Sequence, residues 1–260
     1  MKTVTSADGT TIAYDATGNG PPLVLVVGAF CDRHTTRSLT KVLAPDFTVY
    51  EYDRRGRGES GDTAPYSAAR EVEDLAAVAG AAGGEPNVFG HSSGAILALD
   101  AAARGVPMAK VVAYEPPYII GDTRPRPGAD IGDRLTALVA DGRRGDAAKL
   151  FLTEAVGVPP EVVSMIEGSP DWAGMNALAH TLAYDIALCA NSNELPAGRL
   201  AGLDVPTLVL GGGNSPEWFH TTVRAVADTV PDAQLRFLAG QDHRAADDVL
   251  APVLVEFLRA

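Results

Sequence analysis

The sequence predicts an α/β fold with a mostly parallel central sheet, helices on both faces and a helical cap inserted between two strands. Three observations carry this. Leu23-Val24-Leu25-Val26-Val27, Asn87-Val88-Phe89, Val111-Val112-Ala113-Tyr114 and Thr207-Leu208-Val209-Leu210 are continuous apolar runs, the pattern of strands covered on both faces. Helical spacing fills the intervals at Ser67 to Ala82, Ala95 to Arg104, Glu217 to Thr229 and Asp247 to Arg259. From Pro117 to about Val205 strand-like runs stop, while Arg134 to Val139 and Met175 to Cys189 keep the helical period. The expected division is a core of residues 1–117 and 206–260 with a cap of residues 118–205. A length of 260 residues, 46% of them hydrophobic, suits one such domain.

Taken in order, the chain opens with Val4 to Ala7 and Thr10 to Tyr14 around Asp8-Gly9, a dipeptide suited to the turn of an antiparallel hairpin. Phe47 to Tyr52 and Leu235 to Leu238 alternate polar with apolar residues, which predicts strands nearer a sheet edge. Gly121-Asp122-Thr123-Arg124-Pro125-Arg126-Pro127-Gly128 is rich in proline, glycine and charge and reads as a mobile connection between core and cap.

Lys plus Arg number 21 against 33 Asp plus Glu, a formal charge of −12 that favours solubility and repels phosphate backbones and anionic lipid. The expected partner is a small-molecule substrate, with no nucleic acid and no membrane; the composition is compatible with a homodimer. Met1-Lys2-Thr3-Val4 runs into strand-like sequence without an apolar leader core, and the longest apolar run, Leu23 to Phe30, is too short to span a bilayer. Cys31 and Cys189 match no metal or redox spacing. Cytoplasmic residence is the expectation.

The chemistry centres on Gly90-His91-Ser92-Ser93-Gly94, which follows the strand Asn87 to Phe89 and precedes the helix at Ala95. A serine at so sharp a strand-to-helix turn takes a strained backbone, and side chains in place of the flanking glycines would collide with the neighbouring strand and helix. The helix N-terminus then points its free N–H groups at the site, suited to a developing oxyanion. A serine hydroxyl needs a positioned base. Of the five histidines, His243 in Gly240-Gln241-Asp242-His243 follows the last strand and emerges at the same carboxyl edge as Ser92. His91 sits inside the turn and suits packing; His34, His180 and His220 read as structural, with substrate contact as the alternative.

With these residues placed, the chain resembles the alpha/beta-hydrolase superfamily over essentially its whole length, in its serine hydrolase branch with a helical cap. Asp53-Arg54-Arg55-Gly56-Arg57-Gly58-Glu59-Ser60 is similar to the family's D-x-R-G-x-G-x-S segment, whose expected task is a tight polar loop. Leu23 to Phe30 is similar to the strand that ends in His-Gly-x, where the amide of x supplies half of the oxyanion hole. Val27 replaces that histidine, and Ala29 then supplies the donor together with the Ser93 amide. Ala29, Ser93 and Phe30 are the substrate-binding candidates.

Most members carry an aspartate after the strand corresponding to Thr207 to Leu210, but this chain reads Gly211-Gly212-Gly213-Asn214-Ser215-Pro216. Replacing a triad acid by asparagine costs about four decades in turnover, so a substitute carboxylate is expected. Glu115, at the end of Val111 to Tyr114 and before Pro116-Pro117, is the leading candidate, because some branches of the family draw the acid from this strand end. Asp242 and Asn214 are its rivals. The resemblance implies a cofactor-free serine hydrolase with Ser92, His243 and Glu115 as triad, cleaving a small uncharged or hydrophobic ester, thioester or lactone through an acyl-enzyme. Two alternatives stay open: the same triad used for C–C hydrolysis, lyase or perhydrolase chemistry, and a ligand-binding relative without turnover. Phe30, Tyr118, Trp172, Met175, Leu182 and Trp218 are candidates for an apolar pocket or for the core of the cap.

Overall fold

The structure, a computed structural model, describes residues 1–190 and 192–260. The chain runs β1 (Lys2–Thr5), β2 (Thr11–Thr17), β3 (Pro22–Val26), α1 (Arg37–Leu43), β4 (Thr48–Tyr52), α2 (Ala68–Ala81), β5 (Asn87–His91), α3 (Ser93–Ala103) and β6 (Lys110–Tyr114). Between β6 and the next strand lie α4 (Ile131–Ala140), α5 (Arg144–Leu150), a π-helical turn (Phe151–Val156), α6 (Pro160–Glu167), α7 (Trp172–Leu178), α8 (Leu182–Leu188) and α9 (Ala197–Leu200). The chain then closes with β7 (Thr207–Gly212), α10 (Glu217–Thr229), β8 (Gln234–Leu238) and α11 (Asp247–Arg259).

The strands form one sheet in the order β1-β2-β4-β3-β5-β6-β7-β8, antiparallel at β1/β2 and β2/β4 and parallel elsewhere. The opening hairpin forms slightly outside its expected bounds. Lys2 pairs with Tyr14 and Thr5 with Thr11, and the Asp8 carboxylate caps the intervening loop by accepting the Thr10 amide at 3.0 Å. β8 lies at an edge as its alternation predicts, whereas β4 does not: it sits between β2 and β3. Its alternation has another cause. Tyr50 stacks on Tyr14 of the neighbouring strand, and Glu51 is buried where it accepts the Thr36 hydroxyl at 2.9 Å, so polar groups along β4 face partners rather than water.

Period-two alternation sorts the interior strands onto two layers. Val24, Val26, Val88, Val111 and Val209 pack with residues of α2, α3 and α10, while Leu23, Leu25, Phe89, Val112, Leu208 and Leu210 pack with α1 and α11. A third apolar cluster joins Ile131 and Leu135 of α4, Ala147 of α5, Phe151, and Leu182 and Ile186 of α8. Ala29 and Phe30, from the loop after β3, pack against it. The segment from Gly121 to Gly128 is tied down at two points, unlike the mobile connection its composition suggests. Arg124 donates to the Ala155 and Val156 carbonyls at 3.0 and 2.9 Å, and Arg126 donates to those of Ser192 and Ile119 at 2.6 and 3.0 Å. Guanidinium forks on main-chain carbonyls supply order that a composition rule does not register. Among the described residues, no helix is long and apolar enough to cross a membrane.

Candidate active site

Because β3 and β5 to β8 run parallel, their carboxyl ends share one edge of the sheet, the usual place for a site in such a fold. Three non-glycine residues there hold positive φ, at Phe30 (59°), Ser92 (56°) and Glu115 (46°), each just beyond β3, β5 or β6. Such conformations cost on the order of 1–3 kcal/mol each and persist only where the surroundings over-determine them.

Ser92 is fixed from both sides. Its amide donates to the Tyr114 carbonyl at 2.9 Å and its own carbonyl accepts the first bond of α3 from Ala95 at 2.9 Å. A Cβ on Gly94 would overlap the Val26 carbonyl oxygen, and one on Gly90 would lie 2.6 Å from the Ala95 Cα, so β3, β5 and α3 approach closely only because both positions lack side chains. Gly28 faces the serine itself, since a Cβ there would lie 2.9 Å from Ser92 Cβ. The loop carrying Ala29 and the turn carrying Ser92 are therefore adjacent, and Ser93 opens the N-terminal turn of α3 beside them.

His243 lies in the loop between β8 and α11, and its Nδ1–H donates to Glu115 Oε2 at 2.6 Å. The second carboxylate oxygen, Oε1, accepts the Gly212 amide at 2.8 Å, and the Glu115 amide donates to Leu210 at 3.0 Å. Glu115 is fully buried, with both oxygens engaged. Of the rivals, Asp242 Oδ1 accepts the Arg244 main-chain N–H at 2.8 Å, and the Asn214 main-chain N–H donates to the Gln241 carbonyl at 2.7 Å; the carboxylate that meets His243 is that of Glu115. No hydrogen bond joins Ser92 Oγ to His243 in this structure; the two segments meet through His91, whose Nε2–H donates to the His243 carbonyl at 2.8 Å. The His91 and His243 rings lie 4.6 Å apart. Burial, reinforced by the neighbouring His243, pushes the His91 pKa down to about 3, so its ring is neutral and available as this donor.

On its other side His243 stacks on Phe219 at 4.9 Å and 19°, Phe219 stacks on Trp218 at 3.6 Å, and the Arg124 guanidinium lies over Trp218 at 4.5 Å. Of this column only Trp218 stood among the apolar candidates of the sequence; its stacking on Phe219 and His243 was not legible there. The other apolar candidates divide. Phe30 meets Phe151 edge-on at 5.5 Å, Leu182 is buried in the helical cluster, Trp172 packs against that cluster, Met175 is half-buried on α7, and Tyr118 belongs to the core beneath α3 and α10. A cavity of about 130 Å³ borders His243 and is lined by Val27, Cys31, Phe89, His91 and Tyr114 rather than by these residues. His180 donates to the Gly56 carbonyl at 2.7 Å and His220 to that of Gly212 at 2.9 Å, while His34 is exposed.

The segment from Asp53 to Ser60 does more than fold a loop. Arg54 forks onto Glu71 with two bonds of 2.6 Å and reaches Asp185 at 2.8 Å; Arg57 pairs with the same Asp185 at 2.8 Å; Arg55 forks onto Asp74 at 2.7 and 2.8 Å. All three arginines and their three acids are buried. Despite burial, which alone raises a carboxyl pKa, Arg57 and Arg54 hold Asp185 below its ordinary value, and Arg54 does the same for Glu71. Sequence reasoning missed Asp185 because its partners lie 128 and 131 positions away. An aspartate on an apolar face of a helix was the one available signal. Both cysteines are free thiols, and among the described residues no cluster of three or more His, Cys, Asp or Glu side chains has the geometry of a metal site.

The chain is similar to an alpha/beta hydrolase from Sphaerobacter thermophilus, with 52% identity and a TM-score of 0.95 over 99% of this chain and 100% of that one. An esterase from Rhodococcus sp. ECU1013 is 25% identical, with a TM-score of 0.70 over 99% of this chain and 96% of the esterase. N-formylmaleamate deformylase from Pseudomonas putida is 36% identical over 104 residues, 38% of this chain and 39% of that protein. The sequence pattern of the alpha/beta hydrolase family matches residues 23–253, most of the chain, so this protein belongs to that family.

Proposed function

We propose that the protein is a serine hydrolase that cleaves a small uncharged or hydrophobic ester, thioester or lactone, with Ser92 as nucleophile, His243 as general base and Glu115 as the acid of the triad. The observation that carries this reading is the 2.6 Å bond from His243 Nδ1–H to the buried Glu115 carboxylate. A charge placed there fixes the imidazole tautomer and leaves Nε2 free to take the Ser92 proton. It also answers one of the two grounds for a binding-only reading, the lack of an aspartate after β7, the other being the altered oxyanion loop, where Val27 stands in place of the family's histidine.

In the proposed cycle Ser92 Oγ attacks the acyl carbon as His243 Nε2 takes its proton, and the Ala29 and Ser93 amides receive the developing oxyanion. His243 then protonates the leaving group, and a water attacks the acyl-enzyme by the same route in reverse. Glu115 stays ionised and stabilises the imidazolium at each step. The apolar cluster against which Ala29 and Phe30 pack supports an uncharged acyl group. The partial match to the deformylase adds a small N-formyl amide to the substrates worth testing.

A fluorophosphonate probe followed by mass mapping tests the assignment. The expected adduct is on Ser92, with hydrolysis of p-nitrophenyl acetate or butyrate abolished by both the probe and Ser92→Ala. A folded protein that carries no adduct at Ser92 overturns the proposal.

A further inference from the structure

Asp185 of α8 is 1% exposed and is engaged from three directions. The Ser93 hydroxyl donates to its Oδ1 at 2.7 Å, Arg54 Nη1 donates to the same oxygen at 2.8 Å, and Arg57 Nη2 donates to Oδ2 at 2.8 Å. Arg57 Nη1 in turn donates to the Gly28 carbonyl at 2.6 Å and to that of Cys31 at 3.0 Å, while Arg54 Nη1 also reaches the Val27 carbonyl at 3.3 Å. The reacting serine lies next to both anchored segments, since Gly28 faces Ser92 and Ser93 follows it.

The Gly28 carbonyl and the Ala29 N–H belong to one peptide unit. That unit is planar, so a donor fixing the oxygen also fixes the direction of the N–H. A cationic donor further polarises the peptide and strengthens the N–H as a donor in its turn. The need for such a fixture is visible in the chain itself. Val27 offers no side-chain hydrogen bond to the loop, and Phe30 holds a left-handed φ of 59° that the surroundings must impose. Arg57 provides the restraint from beneath, with the guanidinium spanning two loop carbonyls and the Asp185 carboxylate.

We propose that Asp185, directly through Ser93 and indirectly through Arg57, positions both main-chain donors of the oxyanion hole, so that the helical segment between β6 and β7 sets the hole's geometry. Asp185 and Arg57 are positioning residues; neither touches the reacting atoms. The inference rests on the reading of Ser92 as nucleophile.

The experiment compares kcat and KM for p-nitrophenyl butyrate with the inhibition constant of phenylboronic acid, whose boron becomes tetrahedral and anionic on the serine oxygen. In Arg57→Met and Asp185→Asn, kcat is expected to fall about ten- to hundredfold, short of or equal to the loss of one oxyanion donor. KM should stay within about threefold while boronate affinity weakens by the same factor as kcat. Arg57→Lys keeps the counter-charge of Asp185 but not the planar fork, and is expected to lose boronate affinity with a smaller loss of stability. It decides the matter if the other variants fail to fold. A folded variant with unchanged kcat, or with lowered kcat and unaltered boronate affinity, overturns the proposal. Wild-type protein that neither turns over nor labels at Ser92 instead overturns the functional reading.

Discussion

Glu115 Oε2 and His243 Nδ1 lie 2.6 Å apart, joining the end of β6 to the loop after β8 across the intervening end of β7. β7 contributes only a backbone amide, that of Gly212, to the second oxygen of the same carboxylate. Glu115→Gln keeps the shape of this bridge and removes its charge. On the proposed mechanism, turnover is expected to fall at least about a hundredfold with the fold intact, the effect of replacing a triad acid. Steady-state kinetics alongside circular dichroism checks this, and near-normal kcat would take Glu115 out of the mechanism.

The close approach of α3 to β3 gives a stability prediction. Gly94→Ala pushes a methyl group into the Val26 carbonyl oxygen, a backbone atom that cannot swing aside. The expected cost is at least about 3 kcal/mol in urea denaturation, at the upper end for overpacked sites. Gly80 of α2 has open space around its Cβ position and no left-handed φ, so Gly80→Ala is expected to stabilise by about 0.5–1 kcal/mol. Equal midpoints for the two variants would contradict the packing argument.

His91 sets a pH dependence. Its pKa lies at about 3 in the folded protein against an ordinary value of 6.5, the result of burial and then of the adjacent His243. Between these values the unfolded chain is protonated and the folded one is not, so this residue's contribution to stability declines as pH falls from about 6.5 towards about 3. His91→Asn is expected to flatten that part of the profile. Melting temperatures at about pH 4 and about pH 7, wild type against variant, measure it, and parallel profiles would show that His91 titrates normally.

Arg55 separates stability from catalysis. It bonds to Asp74 at 2.7 and 2.8 Å and to Asp8 at 3.0 Å, and it shares none of these partners with the arginines that reach Ser93 and Gly28. Arg55→Met strands a buried carboxylate and is expected to cost about 3–5 kcal/mol. kcat of the remaining folded protein should match wild type, in contrast to Arg57→Met.

Much of this arrangement is legible in the residues because it depends on local rules. Apolar runs such as Val111 to Tyr114 place strands, and Gly-His-Ser-Ser-Gly fixes the elbow through steric need at short range. Glu115 could be singled out because it ends a strand from which some branches of the family draw the acid, although the sequence alone left Asp242 and Asn214 in contention. Long-range pairing was hidden. Nothing local distinguishes Arg57, which reaches Gly28 and Asp185, from Arg55, which reaches Asp8 and Asp74, and the interior position of β4 depends on side-chain partners that the alternation of its residues cannot name.

The stack that runs from Arg124 through Trp218 and Phe219 to His243 places an indole one phenyl ring away from the imidazole. The chain has two tryptophans, and with Trp172→Phe a single indole would remain, stacked through Phe219 on His243. Such a protein carries its own optical probe, and substrate arrival that disturbs Phe219 becomes readable in real time without any dye.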